Sequence, residues 1–268
     1  MHALLEAAKK ASHEHKPLPF SVYSSVKEQR ILNAPIAKPL MVFVLAGIKQ
    51  LGKDSEITCP AGRFVFLSNN TNIDMRNIPD VNAYCAVLVE FEYCDFDQFK
   101  DAQKGTRNYF QGEIDTALAT TLQQFIEWSM FAPSAAWHFR RKELLQLLYQ
   151  SGYEDVCAIA APPSLSHRLH GIINDDISAD WPVERLAAKL AISESTLRRK
   201  LQAEGSSIHA IVNRAKLGHG LHLVQTTMAP IGRIAERCGY QSQSRFTDKF
   251  KQLFGITPSA LRKTRRPD

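Results

Sequence analysis

Two short runs in the last third of the chain carry forked hydrogen-bond donors at helical spacing. The first holds Ser195, Arg198, Arg199 and Gln202; the second holds Gln243, Ser244, Arg245, Thr247 and Lys251. Arginine can pair bidentately with the guanine edge and glutamine with the adenine edge, each good pair discriminating by ~1–3 kcal/mol. Ser195, Arg198 and Arg199, with Gln243, Ser244 and Arg245, are the favoured readers of base edges. Any one of them could instead touch phosphate or water, because at least half of protein–DNA hydrogen bonds go to the backbone. Lys251 suits a phosphate contact; Lys200, Lys249, Arg262, Lys263, Arg265 and Arg266 suit either phosphate or solvent. Asp248 repels phosphate unless it accepts from cytosine N4.

For such donors to act, each run must be a helix with an apolar back. In the first, Leu197 and Leu201 point inward and Ser193 can cap the start. Before it, Trp181-Pro182 announces a helix, with Pro at the first helical position, whose face is Val183, Leu186, Ala187 and Leu190. A tight turn over 191–195 joins the two, and a shorter helix over 165–174 precedes them. The short helix, the tight turn and the polar, Arg-bearing helix make a helix-turn-helix arrangement. The pattern recurs some fifty residues later. Ile231, Ile234 and Ala235 line one helix, Gly239-Tyr240 make the turn, and Ser242 caps a helix that buries Phe246, Phe250 and Phe254. Gly255 ends it, and Thr257-Pro258 start a last helix. Between the units, residues 207–225 can form one helix of roughly 28 Å at 1.5 Å per residue. This approaches the ~34–36 Å of one DNA turn, so the two polar helices can enter successive major grooves over about 20 base pairs.

Charge is distributed accordingly. Of 268 residues with a net charge of +6, residues 169–268 hold 16 Lys+Arg against 9 Asp+Glu, which leaves 17 against 18 for the rest. Such a basic half attracts a polyanion. The chain is long enough for two domains, and Ala160-Ala161-Pro162-Pro163-Ser164 marks the boundary, because paired prolines stop a helix and stiffen a linker. The five cysteines are scattered without a C-x-x-C pair, which suits reduced thiols in a cytoplasmic protein. No signal peptide or membrane-length apolar run is evident.

The first half is strand-like from 38 to 93. Met41–Leu45, Arg63–Leu67 and Tyr84–Val89 are β-branched and aromatic runs bounded by turns at 46–47, 60–62 and 68–71, the pattern of an antiparallel sandwich or barrel. From 113 to 150 the period becomes helical. Ile114, Leu118, Leu122, Phe125 and Trp128 form one stripe, and Leu144, Leu145, Leu147 and Leu148 another. These helices cover the sheet, or provide a dimer face as well.

The run from Leu186 to Leu261 resembles the AraC/XylS family of bacterial transcription regulators. Matching residues are Leu186-Ala187, Ser193, Ser195, Leu197, Arg199 and Gly205, then Ile234-Ala235, Cys238-Gly239-Tyr240, Ser242, Ser244, Phe246, Phe250-Lys251, Gly255 and Thr257-Pro258. Departures are Lys216 where the family usually has Arg, Ile208 for a common Pro, and Leu201 for a common Phe. More loosely, 39–96 is similar to the cupin-like domain of a subset of these regulators, through Val44-Leu45-Ala46-Gly47, Pro60-x-Gly62 and Phe66-Leu67-Ser68. The resemblance implies an α+β fold: a cupin-like β-barrel with flanking helices over 1–160, and an all-α domain with two helix-turn-helix motifs joined by a long helix over 161–268. It implies an activator that binds double-stranded DNA, acts with RNA polymerase as a homodimer, and answers to a small-molecule effector or regulatory protein on its first domain. No cofactor or membrane is implied. A metal-binding cupin needs inward histidines, yet none lies between His15 and His138, so no metal site is expected. The same DNA-binding module also occurs fused to a cysteine-based alkyl-transfer domain. Cys59, Cys85 and Cys94 sit in strand-like apolar contexts and Cys238 in the turn motif, so no catalytic residue is assigned.

Overall fold

The computed structural model describes residues 1–268 apart from 13, 15–16, 70–71, 82, 100–105, 161–162 and 266–268. The chain forms two compact units. Met1–Arg30, Lys38–Ala161 and Thr264–Asp268 make the first; Ile31–Ala37 and Pro162–Lys263 make the second. The expected linker residues Ala161 and Pro162, the turn residues Asn70 and Thr71, and Arg266 lie outside the described residues.

In the first half, α1 (His2–Ala11) is followed by β1 (Ser21–Ser25), β2 (Gln29–Pro35), β3 (Leu40–Ala46), β4 (Ile48–Leu51), β5 (Ile57–Pro60), β6 (Arg63–Leu67), β7 (Asn72–Ile78), β8 (Tyr84–Glu90) and β9 (Tyr109–Glu113). Helices α2 (Thr116–Ser129) and α3 (Trp137–Gln150) complete it. The strands form two antiparallel sheets, ordered β1-β8-β3-β6-β9 and β2-β7-β4-β5. Among the described residues no ladder joins one sheet to the other, so the expected closed barrel is corrected to a two-sheet arrangement. The cause is local. After a register shift near Val44 and Ala46, Gly47 turns with φ +75°, and the chain leaves the first sheet for the second; at Gly62, φ +84°, it returns. A Cβ at Gly47 would lie 2.5 Å from the Ile78 carbonyl oxygen, so only glycine fits that corner.

Strand alternation then sorts the core. Met41, Phe43, Phe64, Phe66, Val87 and Val89 face the helices, where they pack with Leu4, Leu118, Leu122, Phe125, Leu144 and Leu148. Each such side chain stabilises the fold by ~1.5–3 kcal/mol. The stripes on α2 and α3 therefore cover the sheet. Their connecting corner does not: Phe131 and Phe139 are 77% and 66% exposed. On the other face, Lys49 is buried, donates to Asn77 Oδ1 at 2.9 Å, and lies 5.8 Å from the Tyr84 ring centre, while Asn77 donates on to Gln29. Burial lowers the Lys49 amine to about 8.

The second unit carries α4 (Leu165–Asp175), α5 (Val183–Lys189), α6 (Glu194–Ala203), α7 (Ile208–Thr226), α8 (Ile231–Arg237), α9 (Gln243–Phe254) and α10 (Pro258–Lys263). Pro182 and Pro230 are N-caps, one position before the first-turn place expected of Pro182. A mainly aliphatic core of Leu169, Ile173, Trp181, Leu186, Leu197, Leu201 and Ile211 serves α4 to α6 and the start of α7. An aromatic row serves α8 to α10: ring centres lie 5.3 Å apart for Tyr240–Phe246, 5.5 Å for Phe246–Phe250 and 4.7 Å for Phe250–Phe254.

Candidate nucleic-acid interface

The two candidate reading helices are positioned by the same devices. The Ser193 hydroxyl accepts from the Thr196 amide at 3.2 Å and starts α6; the Ser242 hydroxyl accepts from the Arg245 amide at 3.3 Å and starts α9. Each cap satisfies a helix-end donor and is worth ~1 kcal/mol. Ahead of each cap the preceding helix ends in a left-handed residue with paired return bonds. Around Ala191 (φ 53°), the Ile192 amide donates to Ala187 O at 3.1 Å and the Ala191 amide donates to Ala188 O at 3.1 Å. Around Gly239 (φ 73°), the Tyr240 amide donates to Ala235 O at 2.9 Å and the Gly239 amide donates to Glu236 O at 2.8 Å. These are Schellman turns, and they aim α6 and α9 away from α5 and α8.

Burial of Leu197 and Leu201 fixes which face of α6 is free, and Ser195, Arg198, Arg199 and Gln202 lie exposed on it. Burial of Phe246, Phe250 and Phe254 leaves Gln243, Ser244, Arg245 and Lys251 exposed on α9; Thr247 is half-buried. Ser195 Oγ lies 3.1 Å from the capping Ser193 hydroxyl. The first set thus shares α6 and the second shares α9. Arg262 is placed differently from the expectation of a phosphate or solvent contact: its guanidinium donates to the Ala229 carbonyl. Lys249 donates to Gln252 at 3.2 Å.

The connecting helix α7 has 19 residues, close to 28 Å of axis, and starts at the Ser207 cap. It approaches the second helix-turn-helix closely because Gly220 has no side chain; a Cβ there would lie 2.8 Å from the Phe246 ring. Two of its polar residues reach outward to partners that sequence reasoning missed. Lys216 Nζ donates to the Ala179 carbonyl at 3.1 Å, and Asn213 Oδ1 accepts from the Tyr240 hydroxyl at 2.9 Å. Both link residues 27 or more positions apart, which no helical periodicity encodes.

Four of the five thiols are buried; Cys94 is exposed in the short helical turn Tyr93–Phe99 rather than in the strand-like apolar context expected of it, because β8 has ended at Glu90. Burial pushes Cys59 and Cys85 up to about 11 and Cys238 to about 12, so each holds its proton at neutral pH.

Residues 186–264 match a family model described as a helix-turn-helix domain. The HTH-type transcriptional regulator GadX of Escherichia coli O6:H1 is 33% identical over 97 residues, and AdiY of Escherichia coli K12 is 31% identical over 94. Over this stretch the chain is similar to regulators of the AraC/XylS type. Within it α5–α6 and α8–α9 are the two helix-turn-helix units. The alignments cover 36% and 35% of this chain and only 35% and 37% of GadX and AdiY, about a third of each regulator. Over nearly the whole length the fold resembles that of ToxT from Vibrio cholerae. An apo form of a ToxT point variant aligns with a TM-score of 0.67 at 15% identity, covering 94% of this chain and all of that one; a form bound to an unsaturated fatty acid aligns at 0.63 and 14%, covering 91% and 94%. At that identity the likeness is one of fold. Among the described residues no helix is long and apolar enough to cross a membrane.

Proposed function

We propose that the protein is a sequence-specific, DNA-binding transcription activator of the cytoplasm that reads a bipartite site through α6 and α9 in successive major grooves. The observation that carries this reading is the pairing of two capped helices, each with forked donors on its free face, at the ends of one 19-residue helix. Ser195, Arg198, Arg199 and Gln202 serve one half-site; Gln243, Ser244, Arg245 and Thr247 serve the other; Lys251 contacts phosphate. Arg and Gln supply the bidentate geometry, and the basic excess supplies affinity that falls steeply with salt. No step of this activity is chemical.

The first domain regulates binding through a small-molecule effector, dimerisation or a regulatory protein, and the bound activator recruits RNA polymerase. The exposed Phe131 and Phe139 favour a homodimer contact at the α2–α3 corner. The buried Lys49 amine favours an acidic effector between the sheets, and ToxT has been solved with an unsaturated fatty acid bound. Selection of bound duplexes from a random pool by the full chain tests the reading. It predicts two enriched blocks whose centres lie about 10 base pairs apart. Enrichment of a single block, or of none, would refute it.

A further inference from the structure

Two helix-turn-helix units joined by one helix can still twist about it, and DNA rotates by about 34° per base pair, so a change of spacing is also a change of phase. Something must hold the angle between α6 and α9 if one spacing is to be preferred. A cross-contact between the units does so. The 176–181 loop ahead of the first helix-turn-helix is pinned by its own bonds: Trp181, packed in the aliphatic core, donates through Nε1 to the Asp176 carbonyl at 3.0 Å, and the Ala179 amide donates to the same carbonyl at 3.2 Å. Arg185 lies 4.1 Å over the Trp181 ring. This loop presents the Ser178 and Ala179 carbonyls to the turn of the second unit. A Cβ at Gly239 would lie 2.7 Å from Ser178 O and 2.7 Å from Lys216 Nζ, so the carbonyl, the amine and the bare glycine backbone meet at one point. Lys216 directs its charge to Ala179 O at 3.1 Å, and one helical turn earlier Asn213 receives the Tyr240 hydroxyl at 2.9 Å.

We propose that this three-way joint of Lys216, the Ser178–Ala179 carbonyls and the Gly239–Tyr240 turn is the determinant of half-site spacing. Lys216 and Tyr240 touch no base in this account; they position α9 relative to α6. An ammonium is well suited to the place, because its donors can satisfy a carbonyl turned toward a second backbone, where an apolar side chain would leave that carbonyl unpaired. The inference rests on the bipartite reading above.

The test uses the full chain and duplexes in which the spacer between the two half-sites is lengthened or shortened by one and two base pairs. Wild type is expected to lose affinity by about tenfold or more away from one optimum, the scale of a lost base contact. Lys216→Met and Lys216→Met/Tyr240→Phe are expected to flatten this to about threefold or less, with unchanged base preference within each half-site. Lys216→Arg, which keeps a donor, is expected to retain the optimum. Circular dichroism checks folding, and if the double variant is unfolded the single Lys216→Met profile decides. A uniform loss at every spacing, parallel to wild type, would overturn the proposal and leave the joint a matter of stability alone. A wild-type profile without any optimum would instead overturn the bipartite reading, and this inference with it.

Discussion

The two helix-turn-helix units solve one geometric problem with different residues. Both end their first helix in a Schellman turn with a left-handed residue, but the first places Ala191 there and the second Gly239. At 191 only the backbone angle asks for glycine, and alanine bears the strain. At 239 the angle and the neighbours ask together, because Ser178 O and Lys216 Nζ occupy the space of a Cβ. The cores differ in the same sense. The first is mainly aliphatic around Leu197 and Leu201, whereas the second is a row of phenylalanines against α7, held close by Gly220. A tighter joint goes with larger side chains and fewer tolerated substitutions. The second helix-turn-helix is fixed in place by its contacts with α7 and the 176–181 loop, and the first by its own core.

The largest expected effect breaks the second core. Phe250→Ala should cost ~3–5 kcal/mol, while Leu197→Ala should fall in the wider ~2–5 kcal/mol range, as read by urea unfolding of the full chain. A loss at Phe250 smaller than at Leu197 would remove the distinction between the cores.

Acid is next. Burial, with the charges of His219 and Arg237, lowers His222 from 6.5 to about 4. As pH falls through 6.5 the unfolded chain takes up a proton that the folded α7 refuses, so stability present above that pH is lost progressively down to about 4, by about 3 kcal/mol. His219 is lowered too, by burial first and then by Arg237. Thermal melts between these limits should show the slope, and His222→Gln should reduce it. An unchanged slope in the variant would place its origin elsewhere.

The paired turns give smaller effects of opposite sign. Ala191→Gly should relieve left-handed strain and raise stability by ~0.5–1 kcal/mol. Gly239→Ala should cost about 2 kcal/mol, because strain and collision add. If both changes were neutral, neither turn would be under the constraint described.

Much of this was legible in the chain because the signals are local. Ser193, Ser242 and Thr257 mark helix starts, Gly255 marks an end, and Leu197, Leu201, Phe246 and Phe250 set the hidden faces. The strands that were readable are those buried on both faces, such as 40–46. Strands β1 and β7 carry Ser, Asn, Asp and Arg with partial exposure, so they lack an apolar run to betray them. The separation into two sheets depends on Gly47 and Gly62, which read from sequence only as turns. Among the reading residues, type and helix face could be inferred. The joint at Lys216 could not, since it pairs a lysine with a carbonyl 37 positions away.

Titration of half-site variants with three mutants asks whether α6 and α9 read different halves of one site. Arg199→Ala and Arg245→Ala should each lose ~1–3 kcal/mol and relax base preference in only one half-site, a different one for each. Lys251→Ala should weaken every sequence about equally and lower the salt slope by about one unit. If both arginine variants lose affinity uniformly, or relax the same half-site, the division of reading between α6 and α9 is contradicted.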